Sequence, residues 1–187
     1  MKNLLLSATL CLPLLLHGCY TPIVEGAQQG YDAARRDTLH AEAVSGDPVV
    51  QYKLGDTYCC RGGGPMDHLT VYDNHKATDW YCKSAHQGYV PAQVRLARVY
   101  SGHPLHGLHL ALRASALVGT PETDLPIALM WASLAAGHSD EDGIALRDEI
   151  TAKATDKELA KSATLLNSWR TTPCRWGEVF PLAANRQ

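Results

Sequence analysis

The sequence predicts an all-α chain built as a short stack of helical hairpins. Three observations predict it. Val50, Leu54 and Tyr58 stand at i, i+4 and i+8, and 42 residues later Ala92, Leu96 and Tyr100 repeat the spacing, with Gln51 echoed by Gln93. Ala77, Trp80, Ser84 and Ala85 return 51 residues on as Ala128, Trp131, Ala135 and Ala136. Each set puts its apolar residues on one face of a 3.6-residue helix, and recurrence of such sets marks a repeat architecture. The third observation is punctuation. Asp47-Pro48 and Asp124 with Pro126 open helices, and Gly88 closes one.

The elements follow in order. Lys2 precedes an apolar run from Leu4 to Leu16, too short to span a bilayer and the right length for the core of a signal peptide. Leu16-His17-Gly18-Cys19 resembles the bacterial lipobox, which implies a signal peptide over 1–18 and a diacylglycerol thioether on Cys19. Two or more acyl chains anchor a protein stably, each buried CH₂ contributing about 0.8 kcal/mol. Tyr20 follows Cys19 in place of aspartate, which by the sorting rule of many Gram-negative lipoproteins implies the outer membrane. Residues 19–30 read as the lipidated cysteine and its tether.

The repeat domain is expected over 31–171. Tyr31 to Val44 reads as an N-terminal helix covering the open face of the first repeat, as stacked repeats need. Then come two helix pairs. Gly62-Gly63-Gly64-Pro65 breaks the chain inside the first. A longer loop, Ser101 to Thr123, lies inside the second, with a short helix possible over Leu108 to Leu117. A further helix runs from about Asp140 to Lys153. Thr155 and Glu158 form a capping box before a last helix with the stripe Leu159, Ala163, Leu166, ending near Trp169. Thr172-Pro173 stops it, and 172–187 reads as an irregular tail.

Composition narrows the function classes. The chain has 187 residues, is 45% hydrophobic and 19% charged, and carries a formal net charge of −2. The ordinary apolar fraction excludes intrinsic disorder. No basic excess points to nucleic acid. Only the leader is apolar enough to meet a membrane, so the chain is not polytopic.

Six cysteines are present. Cys11 leaves with the leader and Cys19 carries lipid. Cys59, Cys60, Cys82 and Cys174 remain, and in an exported chain an even number reads as disulfides. Bonding between adjacent cysteines strains the ring that it closes. Cys59 and Cys60 are therefore expected to reach separately to Cys82 and Cys174, in either order. A bridge to Cys82 would close a loop worth about 3 kcal/mol in the entropic model.

These residues resemble a known family. Ala43-x-x-Gly46-Asp47, Leu54-Gly55-x-x-Tyr58, Ala77-x-x-Trp80-Tyr81-x-Lys83-Ser84-Ala85-x-Gln87-Gly88 and Ala92-Gln93-x-x-Leu96 are similar to the Sel1-like repeat, a relative of the tetratricopeptide repeat. The resemblance covers roughly 43–169 and includes Ala128-x-Met130-Trp131-x-x-Leu134-Ala135-Ala136 and Ala145-Leu146-Arg147-Asp148. It departs at Ala97, where the family has glycine, and in its longer loops. It implies a right-handed α-hairpin solenoid whose concave face binds another protein.

Other motifs read as structure. His103, His106 and His109 resemble a metal run, but on a helix they fan out too widely to share one ion. Gly62-Gly63-Gly64 lacks the lysine and spacing of a phosphate loop. Asp140-Glu141-Asp142 reads as charge at a helix start. Trp80 and Trp131 read as core. Nucleophile-elbow, zincin and P-loop motifs are absent from the sequence. The expectation is an outer-membrane lipoprotein facing the periplasm that scaffolds another protein, with no catalytic, cofactor or metal residues. The rivals are an immunity protein against a delivered toxin, a cell-wall-acting enzyme and a thiol redox protein.

Overall fold

Five of the described helices start where a side chain caps them. In a computed structural model of the chain, residues 27–60, 72–103 and 122–181 are described. Residues 27–45 are helical (α1). Asp47 accepts from the N–H groups of Val49 and Val50 and opens α2, Pro48–Tyr58, with proline in the first turn where no N–H is needed. Asp73 caps α3, Asn74–His86, and Asp124 caps α5, Leu125–Gly137, through the Ile127 N–H. Asp140 caps α6, Glu141–Lys153. The Thr155–Glu158 capping box opens α7, Asp156–Asn167. The helix α4, Val90–Tyr100, has no side-chain cap. A 3₁₀ turn, Trp169–Thr171, and a helical turn, Trp176–Val179 (α8), complete the described chain. The fold is all-helical among the described residues.

Three tight turns share one backbone signature. Gly46, Gly88 and Ser139 have φ of 110°, 87° and 59°, the left-handed region that lets a helix end and the next begin at once. Each donates its N–H to an alanine carbonyl three residues back, Ala43, Ala85 or Ala136. The longer connections are closed by a second shared device. The Asp73 N–H donates to the Tyr58 carbonyl at 2.8 Å, and the Asp124 N–H to the Tyr100 carbonyl at 2.9 Å.

Packing follows chain order: α2 on α3, α3 on α4, α4 on α5, α5 on α6 and α7. Both predicted stripes face inward, with Tyr58 and Ala136 half-buried and their other members buried. Leu54, Leu96 and Tyr100 are fully covered, Trp131 is completely enclosed and Trp80 is 9% exposed. A small cluster of Ala43, Val50, Leu54 and Trp80 joins α1 to α2 and α3, and a larger one runs from α3 to the tail. In this way α1 covers the first pair, with Tyr31 and Val44 turned outward.

Two expectations are corrected. On α7 the inward stripe is Leu159, Ser162 and Leu165, while Ala163 is exposed and Leu166 is 36% exposed. The tail is not irregular throughout. Glu178 accepts from the N–H groups of Cys174 and Arg175 and so starts α8, and the segment packs against α3. Among the described residues no helix is long and apolar enough to cross a membrane.

Candidate functional site

A half-open polar cluster joins α2, α3 and α4. Tyr52 and Asp56 sit one turn apart on α2, Tyr81 comes from α3, Tyr89 from the turn before α4, and Arg95 from α4. The Tyr81 hydroxyl donates to Asp56 Oδ1 at 2.6 Å. Arg95 Nη2 lies 3.1 Å from the same carboxylate oxygen and donates to the Tyr52 hydroxyl at 3.2 Å. The Tyr52 ring is 5.8 Å from that of Tyr81 and 5.6 Å from that of Tyr89.

Local packing explains this placement. A Cβ on Gly55 would lie 2.7 Å from the Tyr81 ring, so glycine there lets the ring lie against α2 with its hydroxyl at Asp56. Burial, reinforced by the Asp56 charge, holds the Tyr81 hydroxyl well above the usual phenol range. Burial also raises Tyr52, against the pull of Arg95. The cluster therefore presents neutral phenols and one ion pair. The Asp56 and Arg95 side chains remain 33% and 20% exposed. Tyrosine and arginine are the residue types that carry most energy at protein interfaces, because large rigid rings and a planar guanidinium bury much surface at small entropic cost.

A second aromatic cluster is internal. His86 on α3 lies 5.5 Å from the Trp131 ring on α5 and stacks with Trp169 at 6.0 Å. Burial lowers the His86 imidazole, while a hydrogen bond with the Trp169 backbone and the Glu178 charge raise it. His86 Nε2 and Trp131 Nε1 are buried without hydrogen-bond partners among the described residues.

The sequence-predicted sites fall as follows. Cys19 and the leader lie outside the described residues, as do Gly62-Gly63-Gly64, His106, His109 and the stretch Leu108 to Leu117. His103 pairs with Glu149 at 3.4 Å. Of the acidic trio, Asp140 caps α6 and Asp142 meets the buried Arg98 at 3.2 Å. Trp80 and Trp131 are core. No group of three or more metal-ligating side chains sits together among the described residues.

The cysteine pairing is overturned. Cys82 pairs with Cys174, their Cα atoms 5.8 Å apart, and Cys59 pairs with its neighbour Cys60. The reason lies in the phase of α3. Tyr81 takes the direction facing α2, so Cys82, about 100° further round the helix, faces the tail.

No protein-family model, no curated protein and no solved structure matches the chain. The tyrosine–arginine cluster was missed by motif reading because its members come from three helices. One signal was present. Tyr52 and Asp56 are polar residues one turn apart beside an apolar stripe, and Arg95 lies beside the equivalent stripe 42 residues on.

Proposed function

We propose that this chain is an outer-membrane-anchored lipoprotein facing the periplasm. It binds another protein through a short right-handed stack of Sel1-like helical hairpins and has no catalytic step of its own. The observation that carries the binding role is the half-open Tyr52–Tyr89–Arg95 cluster, assembled from α2 and α4 over the buried Tyr81 of α3. The shared turns at Gly46, Gly88 and Ser139 support the repeat reading, because they recur where successive hairpins of such an array would turn. Anchoring at Cys19 rests on the lipobox resemblance. A surface held by buried rings loses little entropy on binding.

The test is capture in living cells. A photo-reactive aromatic residue replaces Tyr89 in the full chain, and cross-linked partners are identified by mass spectrometry. Envelope-machinery subunits, lost when Arg95 is changed to glutamate in a folded variant, support the scaffold reading. A single secreted enzyme captured one-to-one would replace it with an inhibitory role. In parallel, an alkynyl fatty acid labels the protein, and Cys19→Ser abolishes the label.

A further inference from the structure

The C-terminal segment is held by side chains that read its backbone. Tyr100, at the end of α4, donates its hydroxyl proton to the Cys174 carbonyl. Thr78, on α3, donates to its own helix and accepts from the Trp176 N–H at 2.9 Å. Asp79, the next residue of α3, pairs with Arg175 Nε at 3.5 Å. The Trp176 ring stacks on Tyr100 with centroids 6.2 Å apart and planes within 18°, and Phe180 packs on both rings. Cys82 lies one turn on from Thr78 and bonds Cys174.

This differs from ordinary helix packing. Two helix side chains hydrogen-bond main-chain groups where a short non-helical stretch enters the α8 turn, one carboxylate pairs with a cation, and one ring stacks on an aromatic. A groove recognises a peptide in this way: main-chain hydrogen bonds give affinity and neighbouring side chains give selectivity. The segment is also ordered in itself, since Glu178 caps its one helical turn.

We propose that the face formed by Thr78, Asp79, Cys82 and Tyr100 is a seat for a short peptide in which arginine is followed by an aromatic residue that opens a helical turn. Residues 172–181 fill it in cis, and the Cys82–Cys174 disulfide is the lock. A dithiol opens the lock by thiol–disulfide exchange. One of its thiolates attacks one protein sulfur and expels the other as a thiolate. Its second thiol then closes on the mixed disulfide. The dithiol leaves as a cyclic disulfide, and Cys82 and Cys174 gain the two electrons and two protons. The seat is separate from the tyrosine–arginine cluster, so it stands or falls without the binding role proposed above.

The test uses the full chain. Trypsin cleavage after Arg175 reports release of the segment. A fluorescein-labelled peptide of residues 172–181, with serine in place of the cysteine, reports an empty seat. In the oxidised protein Arg175 is protected and the peptide does not bind. After dithiothreitol, or in the Cys174→Ser, Trp176→Ala double variant, cleavage rises at least tenfold and the peptide binds saturably. Adding Asp79→Asn to that variant weakens the peptide at least tenfold. Continued protection of Arg175 in both unlocked forms would overturn the lock. An accessible Arg175 with no peptide binding, in protein that keeps its helical circular dichroism, would overturn the seat. Global unfolding of both forms would show the segment to be part of the core, and would overturn both.

Discussion

Gly55 leaves room for the ring of Tyr81. A side chain at 55 would lie 2.7 Å from two ring carbons and 3.2 Å from the Ala77 carbonyl. At the equivalent positions of the next helix pair stand Ala97 and Ala132, both fully buried. The glycine is needed where the opposing residue is a tyrosine and not where it is an alanine. This accounts for alanine at position 97, where α2 has glycine at the equivalent position 55.

Gly55→Ala should destabilise by about 1–3 kcal/mol, since the ring cannot move without loosening its hydrogen bond to Asp56. Replacing Tyr81 with leucine should reduce the added cost of Gly55→Ala, a coupling that a double-mutant cycle in urea would measure. Gly143→Ala should cost more. There the obstruction is the Ala135 Cβ at 2.6 Å and the Ala136 nitrogen at 2.8 Å from the new carbon, and neither a methyl fixed to the backbone nor the backbone itself can swing aside.

His138→Gln should stabilise the protein. Gln51 donates to the Ala43 carbonyl eight residues back and accepts from Gln87, the C-cap of α3. Gln93 makes the equivalent bond to the Ala85 carbonyl, but its Oε1 is buried without a partner. The residue in the place of Gln87 is His138, the exposed C-cap of α5. Glutamine there would supply the missing donor, a gain of about 0.5–1.5 kcal/mol in stability, read as a higher urea midpoint. An unchanged midpoint would mean that Oε1 has no need of the donor.

Ser139→Gly should also stabilise. Ser139 holds the left-handed conformation that Gly46 and Gly88 hold at the corresponding turns. A side chain in that region costs about 1 kcal/mol, which glycine avoids, less its greater freedom in the unfolded chain. The expected sign is a higher melting temperature, read by circular dichroism. A fall would show that the hydroxyl contributes more than the strain costs.

His86 should make stability fall on mild acidification. Burial sets its folded pKa below its usual value of about 6.5, so the unfolded chain binds the proton more readily. Stability then rises with pH across the interval between the folded and unfolded values, and acidification through that interval removes it. The melting temperature should drop between pH 7.5 and 5, and drop less in His86→Gln. Glu149, Glu158 and Glu178, all lowered by their hydrogen bonds, add losses of the same sign only in the more acid carboxylate range.

Helix starts were readable from the sequence because capping is local. Asp47, Asp124, Asp140 and Thr155 all act within three residues of themselves. Apolar stripes on central helices were readable for a similar reason, since Leu54 and Leu96 have one inward direction. The last helix packs on one side only, and the choice between Ala163 and its neighbour Ser162, about 100° apart round the helix, is not fixed by hydropathy. The cysteine pairing and the Tyr52–Arg95 cluster depend on the relative rotation of neighbouring helices. Gly55 sets that rotation for α2 and α3 through a contact with a residue 26 positions away, which no local pattern contains.

The backbone clasps at Tyr58–Asp73 and Tyr100–Asp124 bear on how this molecule could change length. The paired helices match, 11 residues for α2 and α4 and 13 for α3 and α5. The extra nine residues of the second period therefore fall wholly between one clasp and its closing aspartate. Whatever is spliced between those two points leaves and re-enters the array at the same place. These two connections are where new sequence can be acquired without rephasing a helix. At Gly46, Gly88 or Ser139, by contrast, a single inserted residue would turn the next helix out of register.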